Sequence, residues 1–180
     1  MIEVKPAKPA DLKALAARDF SFTITLVAAG PFHGPQVTHT AAPVTPYVKS
    51  YGFDAGELAE YLTGDDQALF VAHAAPAGPV GYLAVVEDWN DYALVDDFAV
   101  DADYRGAGIA RALMQAAAAW AKARKLAGLR IETQSNNVAA CHFYENFGFV
   151  LGGYDRYLYA ALQPGTEEVA LFWYLPFPAE

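Results

Sequence analysis

Val95-Asp96-Asp97-Phe98-Ala99-Val100 reads as a β-strand, and Arg105-Gly106-Ala107-Gly108-Ile109-Ala110 follows it at once. A long helical pattern opens there. Strand, bare glycine loop and helix N-terminus together make an anion site. The loop N–H groups are unobstructed and the helix end carries partial positive charge. A phosphate or pyrophosphate is the expected ligand. Further on comes Asn137-Val138-Ala139-Ala140-Cys141-His142-Phe143-Tyr144, which starts a second helix.

Around this centre the chain reads as alternating short elements. Residues 2–5 suit a strand, and 11–20 a helix with Asp11 as N-cap. Residues 22–27 alternate like a strand, whereas 29–51, rich in proline, read as an ordered loop. Residues 54–62 suit a short helix. Three strands follow, 68–74, 80–86 and 92–100, joined by the Pro76-Ala77-Gly78-Pro79 and Asn90-Asp91 turns into an antiparallel meander. The helix after the glycine loop spans 108–125. Ile109, Leu113, Ala116, Trp120 and Ala123 form its apolar face, and Gly128 is its stop. A strand at 129–134 makes strand–helix–strand, hence a parallel pair with a right-handed crossover. A helix at 139–147 ends at Gly148, and strands are expected over 149–162 and 168–177. No repeat or linker divides the chain, so 1–180 reads as one α+β domain: a mixed sheet with helices packed on it.

The composition narrows the partners. At 180 residues and 54% hydrophobic content, the chain can bury a core. A net charge of −9 argues against nucleic acid and against anionic membranes. No apolar run reaches the length of about 18 residues that a membrane span needs. The N-terminus lacks a signal-peptide core, and Cys141 is the single cysteine, so a cytoplasmic location is expected. Charge is also segregated. No Lys or Arg lies between Lys49 and Arg105, an interval holding Asp54, Glu57, Glu60, Asp96 and Asp97 among other acids; from Arg105 to Arg130 only basic residues occur. One segment suits a polyanion and its neighbour a cation.

Two phosphate-binding motifs do not fit. No Gly-x-x-x-x-Gly-Lys-Ser/Thr is present. A dinucleotide fingerprint would begin at Gly106-x-Gly108, with Glu132 for the ribose, but Arg111 stands where its third glycine belongs. Arg105-x-x-Gly108-x-Ala110 instead resembles the Arg/Gln-x-x-Gly-x-Gly/Ala signature of the GNAT superfamily of acyl-CoA-dependent N-acetyltransferases. Asn137-x-x-Ala140-x-x-x-Tyr144 with Gly148-Phe149 resembles its second motif. Trp89-Asn90-x-Tyr92, Glu132-Thr133-Gln134, Ala140-Cys141, Phe172-Trp173-Tyr174 and Pro46-Tyr47-x-Lys49-Ser50-Tyr51 are similar to streptothricin acetyltransferases. Before Pro46 that match is poor, so residues 22–44 stand as a stretch that could reshape the pocket.

The resemblance implies a mixed, largely antiparallel sheet with a central parallel strand pair and helices on both faces. It also implies acetyl transfer from acetyl-CoA, the co-substrate, to a primary amine of a small cationic molecule. Phe98, Ala99 and Val100 would line the pantetheine arm. The N–H groups of Arg105, Gly106, Ala107, Gly108, Ile109, Ala110 and Arg111 would cradle the pyrophosphate. Asn137 would bond the pantetheine amide, with a helix N-cap as the competing role. Tyr144 would protonate the leaving thiolate, a phenol near pKa ~10 facing a thiol near ~8.5; the competing role is a buried structural ring. Asp96 or Asp97 would relay the amine proton and hold the ammonium. Adjacent strand residues face opposite ways, so one of them is expected to enter the pocket. Tyr47, Tyr51, Trp89 and Thr133 would surround the acceptor. Cys141 is a poor nucleophile, because His142 points roughly 100° away along the helix. His33, His39, His73 and His142 lack metal spacing, so no metal is expected. The alternatives are a protein or polyamine acetyltransferase, or an acyl-CoA-binding module without catalysis. The expected partner is a small amine, with a homodimer as an option.

Overall fold

The computed structural model describes residues 1–30 and 40–178; His33 and His39 lie outside them. Along the chain run β1 (Ile2–Pro6), α1 (Pro9–Leu15), β2 (Phe22–Ala29), β3 (Thr40–Lys49), α2 (Ala55–Glu60), β4 (Gln67–Ala74), β5 (Gly78–Glu87), β6 (Tyr92–Val100), α3 (Ile109–Ala123), β7 (Gly128–Gln134), α4 (Val138–Phe147), β8 (Val150–Asp155) and β9 (Ala170–Pro176). They divide into two compact units. The first is Met1–Phe22, Ser50–Leu129 and Phe177–Glu180; the second is Thr23–Lys49 and Arg130–Pro176.

In the first unit, β1, β4, β5 and β6 lie side by side and antiparallel. The meander expected from the Pro76–Pro79 and Asn90-Asp91 turns is β4–β5–β6. From β6 the chain passes through α3 and enters β7. The N–H of Ala127 donates to Asp91 O at 2.8 Å, which anchors the chain just before β7. Helices cover both faces. Leu12 and Leu15 of α1 and Leu58 of α2 pack with Leu69, Val71, Tyr82 and Ala84 of the sheet. On the other face, a Cβ placed on Gly81 would stand 3.4 Å from both Ile109 and Leu113 of α3. Gly81 and Tyr82 are strand neighbours, so these are opposite faces.

In the second unit the strands run in the order β7–β9–β8, and β8 and β9 pair antiparallel. A separate two-stranded sheet joins β2 to β3. Val138, Cys141 and Tyr144 of α4, with Leu151, Leu171 and Trp173, are buried here.

Several sequence expectations need correction. The segment 29–51 is not all loop, because β3 occupies Thr40–Lys49. Its prolines, Pro43 and Pro46, are tolerated because a two-stranded sheet consists only of edges. α1 begins at Pro9 and ends at Leu15. Asp11 is not its cap; it sits in the first turn and accepts the N–H of Lys8 at 2.9 Å. The buried face of α3 is Ile109, Leu113, Met114, Ala117 and Ala121. Trp120 lies instead under the Arg124 guanidinium, 4.6 Å from its ring centre. In so alanine-rich a helix, small residues leave the face poorly marked. Gly128 is a buried strand residue rather than the stop. Lys125, at φ 60°, takes the left-handed position. Leu126 N donates to Ala121 O and Lys125 N to Lys122 O, the paired bonds of a Schellman ending. The strand expected over 149–162 stops at Asp155. Beyond it, local bonds such as Ala160 N to Tyr157 O and Leu162 N to Tyr159 O turn the chain.

Candidate active site

The glycine loop lies in the first unit, between β6 and α3. Gly106 (φ 75°) and Gly108 (φ 82°) both adopt the left-handed conformation that L side chains resist. A Cβ added to either would meet no atom within 4 Å, so the space beside them is open. Among the described residues, the N–H groups of Gly106, Ala107, Gly108, Ile109 and Ala110 donate to no protein acceptor. Ile109, Ala110 and Arg111 open a helix of 15 residues, whose dipole points the same way. Arg105 is held by its own Nε, which donates to Val100 O at 3.1 Å. The loop thus presents several N–H donors without a protein acceptor, an arrangement that could cradle an anion.

Asp96 and Asp97 sit on β6, and the sheet register changes what they can do. Ala84 of β5 pairs with Asp97, but the next residue, Val85, pairs with Val95. Asp96 is therefore an extra residue, and the strand bulges there. Bulging breaks the alternation that would send the two side chains to opposite faces. The Tyr61 hydroxyl donates to Asp96, and the Tyr82 hydroxyl donates to Asp97 at 3.0 Å. Both tyrosines belong to one apolar cluster. Within it the Tyr82 ring meets Phe20 edge-on at 5.2 Å and Phe53 at 5.5 Å. Both carboxylates thus reach one set of side chains, against the expectation that only one would.

The electrostatics follow from this crowding. Burial raises the Asp97 pKa, and the neighbouring charges of Asp96 and Glu57 raise it further; the hydroxyl of Tyr82 and the backbone at Phe98 oppose the shift. Asp97 is nonetheless an exposed residue, so solvent screens part of this shift. Burial and the adjacent carboxylates also push both tyrosine pKa values up, which keeps their hydroxyls protonated as donors. Phe98, Ala99 and Val100 continue β6 and pair with Leu83, Tyr82 and Gly81.

In the second unit, Asn137 caps α4, its side-chain oxygen accepting the N–H of Ala140 at 3.1 Å. The capping role is therefore real, and it uses the oxygen alone. Tyr144, seven residues on, is 4% exposed. Its ring lies 5.6 Å from Phe149 and 6.0 Å from Trp173. Cys141 is buried and His142 is on the outside of α4, as helical spacing requires. Burial, then the charge of Glu145, pushes the Cys141 thiol up to about 12, so it is not a thiolate at neutral pH. Thr133 is buried on β7. Tyr47 accepts a bond from Asn136 Nδ2 at 3.3 Å.

The same Asn136 nitrogen donates to Glu168 at 2.7 Å, and Lys49 Nζ reaches both Glu168 oxygens at 2.6 and 2.8 Å as well as Gln134. This polar cluster of Lys49, Gln134, Asn136 and Glu168 was not foreseen as a unit. Tyr61 and Tyr82 were missed too. Tyr82 lies in a strand whose alternation marks it only as core, and its acid partner is set by register. Tyr51 packs on Phe22 at 5.5 Å. Trp89 is 88% exposed in the turn between β5 and β6. It is not brought to the carboxylates, from which about five strand residues, or roughly 17 Å, separate the start of β6. Of the remaining histidines, His73 lies 3.2 Å from Asp11 and His142 3.7 Å from Glu145. Among the described residues no three metal-binding side chains group together, and no helix is long and apolar enough to cross a membrane.

Comparison with known proteins bears on these features. A family model for the acetyltransferase (GNAT) family matches residues 38–149. The chain is 38% identical to streptothricin acetyltransferase A of Bacillus subtilis (strain 168) over 132 residues, 73% of this chain and 75% of that one. It is 33% identical to a streptothricin acetyltransferase of Streptomyces lavendulae over 181 residues, 98% of this chain and 95% of that one. The latter alignment extends over nearly the whole chain, whereas the former leaves about a quarter of it unmatched. Among solved structures, a Bacillus anthracis str. Ames protein described as a streptothricin acetyltransferase, in complex with acetyl coenzyme A, superposes with a TM-score of 0.89. It is 34% identical, over 98% of this chain and 100% of that one.

Proposed function

Because this chain belongs to the GNAT family of acetyltransferases, we propose that it moves the acetyl group of acetyl-CoA to a primary amine of a small cationic molecule, with streptothricin as the foremost candidate. The transfer is direct, within a ternary complex. The amino group of the streptothricin β-lysine arm is the acceptor, and its acetylation confers resistance. The observation that carries the cationic acceptor is the bulge at Asp96, which turns two carboxylates toward one aromatic cluster.

In this reading the free N–H groups from Gly106 to Ala110, with Arg105 and Arg111, hold the pyrophosphate. The backbone of Phe98, Ala99 and Val100 lines the pantetheine arm. Asn137 keeps its oxygen for the α4 cap and offers its amide nitrogen to the pantetheine. Tyr144 protonates the departing thiolate. Asp96 and Asp97 hold and deprotonate the amine, and Tyr47, Tyr51 and Thr133 border the acceptor. Trp89 contributes only if a large acceptor extends to the turn it occupies. No metal takes part. The two units act as one catalytic domain, monomeric or paired with a second copy. A single buried cysteine suits the reducing cytoplasm.

A CoA-release assay against streptothricin, polyamines, aminoglycosides and lysine tests the proposal. Streptothricin should be turned over with the highest kcat/KM. Preference for a polyamine would retain the chemistry and reassign the acceptor. Acetyl-CoA binding without release for any amine would make the chain a binding module instead.

A further inference from the structure

Two adjacent carboxylates on one face raise a problem of roles. A carboxylate that binds an ammonium stabilises its charged form and so opposes its deprotonation. An aliphatic amine, with a pKa near ~10.4, must lose a proton before it attacks. The structure separates the two acids by their partners. Asp96 is the bulged residue and is held by Tyr61, at the end of α2 on the rim of the cluster. Asp97 is in register and is held from the neighbouring strand by Tyr82, which is 1% exposed and locked between Phe20 and Phe53.

We propose that Tyr82 is a positioning residue acting through Asp97: its hydroxyl holds Oδ2 so that Oδ1 is presented to the acceptor amine as the proton acceptor, while Tyr61 holds Asp96 as the anchor for the cation. This rests on the acetyltransferase reading above and assigns the two acids within it. Tyr82 suits the task because its ring cannot move without disrupting the core. The groups facing Asp97 are Asp96 on its own strand, Tyr82 on β5, and Glu57 on α2; Glu60 and Tyr61 complete the charged rim. Burial, with the charges of Asp96 and Glu57, raises the Asp97 pKa, and the Tyr82 hydrogen bond opposes that rise.

The step balances as follows. Asp97 takes one proton from R–NH3+. The freed nitrogen pair forms the C–N bond to the thioester carbonyl carbon. The C–S bond breaks with its electron pair on sulfur, which takes a proton from Tyr144. The second nitrogen proton returns to Tyr144 through solvent, and Asp97 releases its own to solvent.

Tyr82→Phe keeps the ring and removes only the hydroxyl. The readout is kcat/KM against pH at saturating acetyl-CoA, using the amine turned over best. Losing a hydrogen bond to a charged group should move the acid limb upward by about one pH unit. Activity below the limb should fall about tenfold, with KM for acetyl-CoA unchanged. Tyr61→Phe should instead raise KM for the amine and leave the limb in place. Site-specific 3-fluorotyrosine at position 82, a stronger donor of the same shape, should move the limb downward and serves if Tyr82→Phe does not fold. Asp97→Asn should abolish the limb. An unmoved limb in folded Tyr82 variants, with the limb lost in Asp97→Asn, overturns the role of Tyr82 alone. A limb that persists in Asp97→Asn overturns the assignment of Asp97. Absence of turnover with every cationic amine in the unaltered protein is the separate failure of the proposed function.

Discussion

Tyr144 is a core residue to which the proposed function also gives a part in the chemistry. Its ring is buried among Phe149 and Trp173, so its packing reading is correct, and we propose that its hydroxyl also protonates the leaving thiolate. Tyr144→Phe separates the two, because it keeps the ring. Turnover should fall by about 10² to 10⁴-fold, while acetyl-CoA affinity by calorimetry and the melting temperature hardly change. Full turnover in this variant would leave only the packing role. The helical spacing from Asn137 to Tyr144 was legible in sequence, since it depends only on i to i+7 geometry. The side-by-side placement of Asp96 and Asp97 was not. Strand alternation sends neighbours to opposite faces, and the bulge that cancels it exists only in the pairing with β5.

Among the elements, α3 has a left-handed glycine, Gly108, at its start and a left-handed lysine, Lys125, just past its end. Gly108→Val would add a branched side chain at φ 82°, into space open of protein. The backbone strain should cost about 1–2 kcal/mol. Acetyl-CoA affinity of the folded variant should drop sharply in calorimetry, because the Cβ branch intrudes on the anion's approach. An unchanged affinity would remove the pyrophosphate from this loop. At the other end of α3, Lys125 stands at φ 60° where glycine is the favoured residue. Lys125→Gly should relieve about 1 kcal/mol of strain and raise the melting temperature by roughly 2–4 °C for a protein of this size. A lowered melting temperature would mean that the lysine makes stabilising contacts exceeding that strain. The helix itself was readable from the glycine loop and its apolar spacing. Its true ending was not, because Gly128 looked like a stop while the chain turned three residues earlier on a lysine.

At the scale of the whole molecule, the segregated charge predicts how substrate is gathered. Some acids of the Lys49–Arg105 interval have structural partners: Glu87 bonds Arg124 at 2.9 Å, Asp101 meets Arg18 at 3.3 Å, and Asp54 caps α2. Glu57, Asp96 and Asp97 remain grouped around the tyrosines. For a polycationic amine, kcat/KM should therefore fall as salt rises, since the Debye length is about 8 Å at physiological ionic strength. A neutral amine should show little change. Asp96→Asn combined with Asp97→Asn should erase the difference between the two substrates, and equal salt dependence for both amines in the unaltered protein would count against a cation-selective site. The acetyltransferase chemistry was implied by the resemblance of two motifs to the GNAT superfamily. The amino-acid sequence by itself determined the α+β class, the meander and the glycine loop ahead of α3. These depend on local geometry: turn residues, periodicity, and glycines where a backbone must approach a ligand. Only the tertiary structure decided which carboxylate meets which tyrosine, that proline-bearing residues 40–49 form a strand, and that Lys49, Asn136 and Glu168 come together. Those facts are set by strand register and by contacts between residues far apart in the chain, which no local pattern encodes.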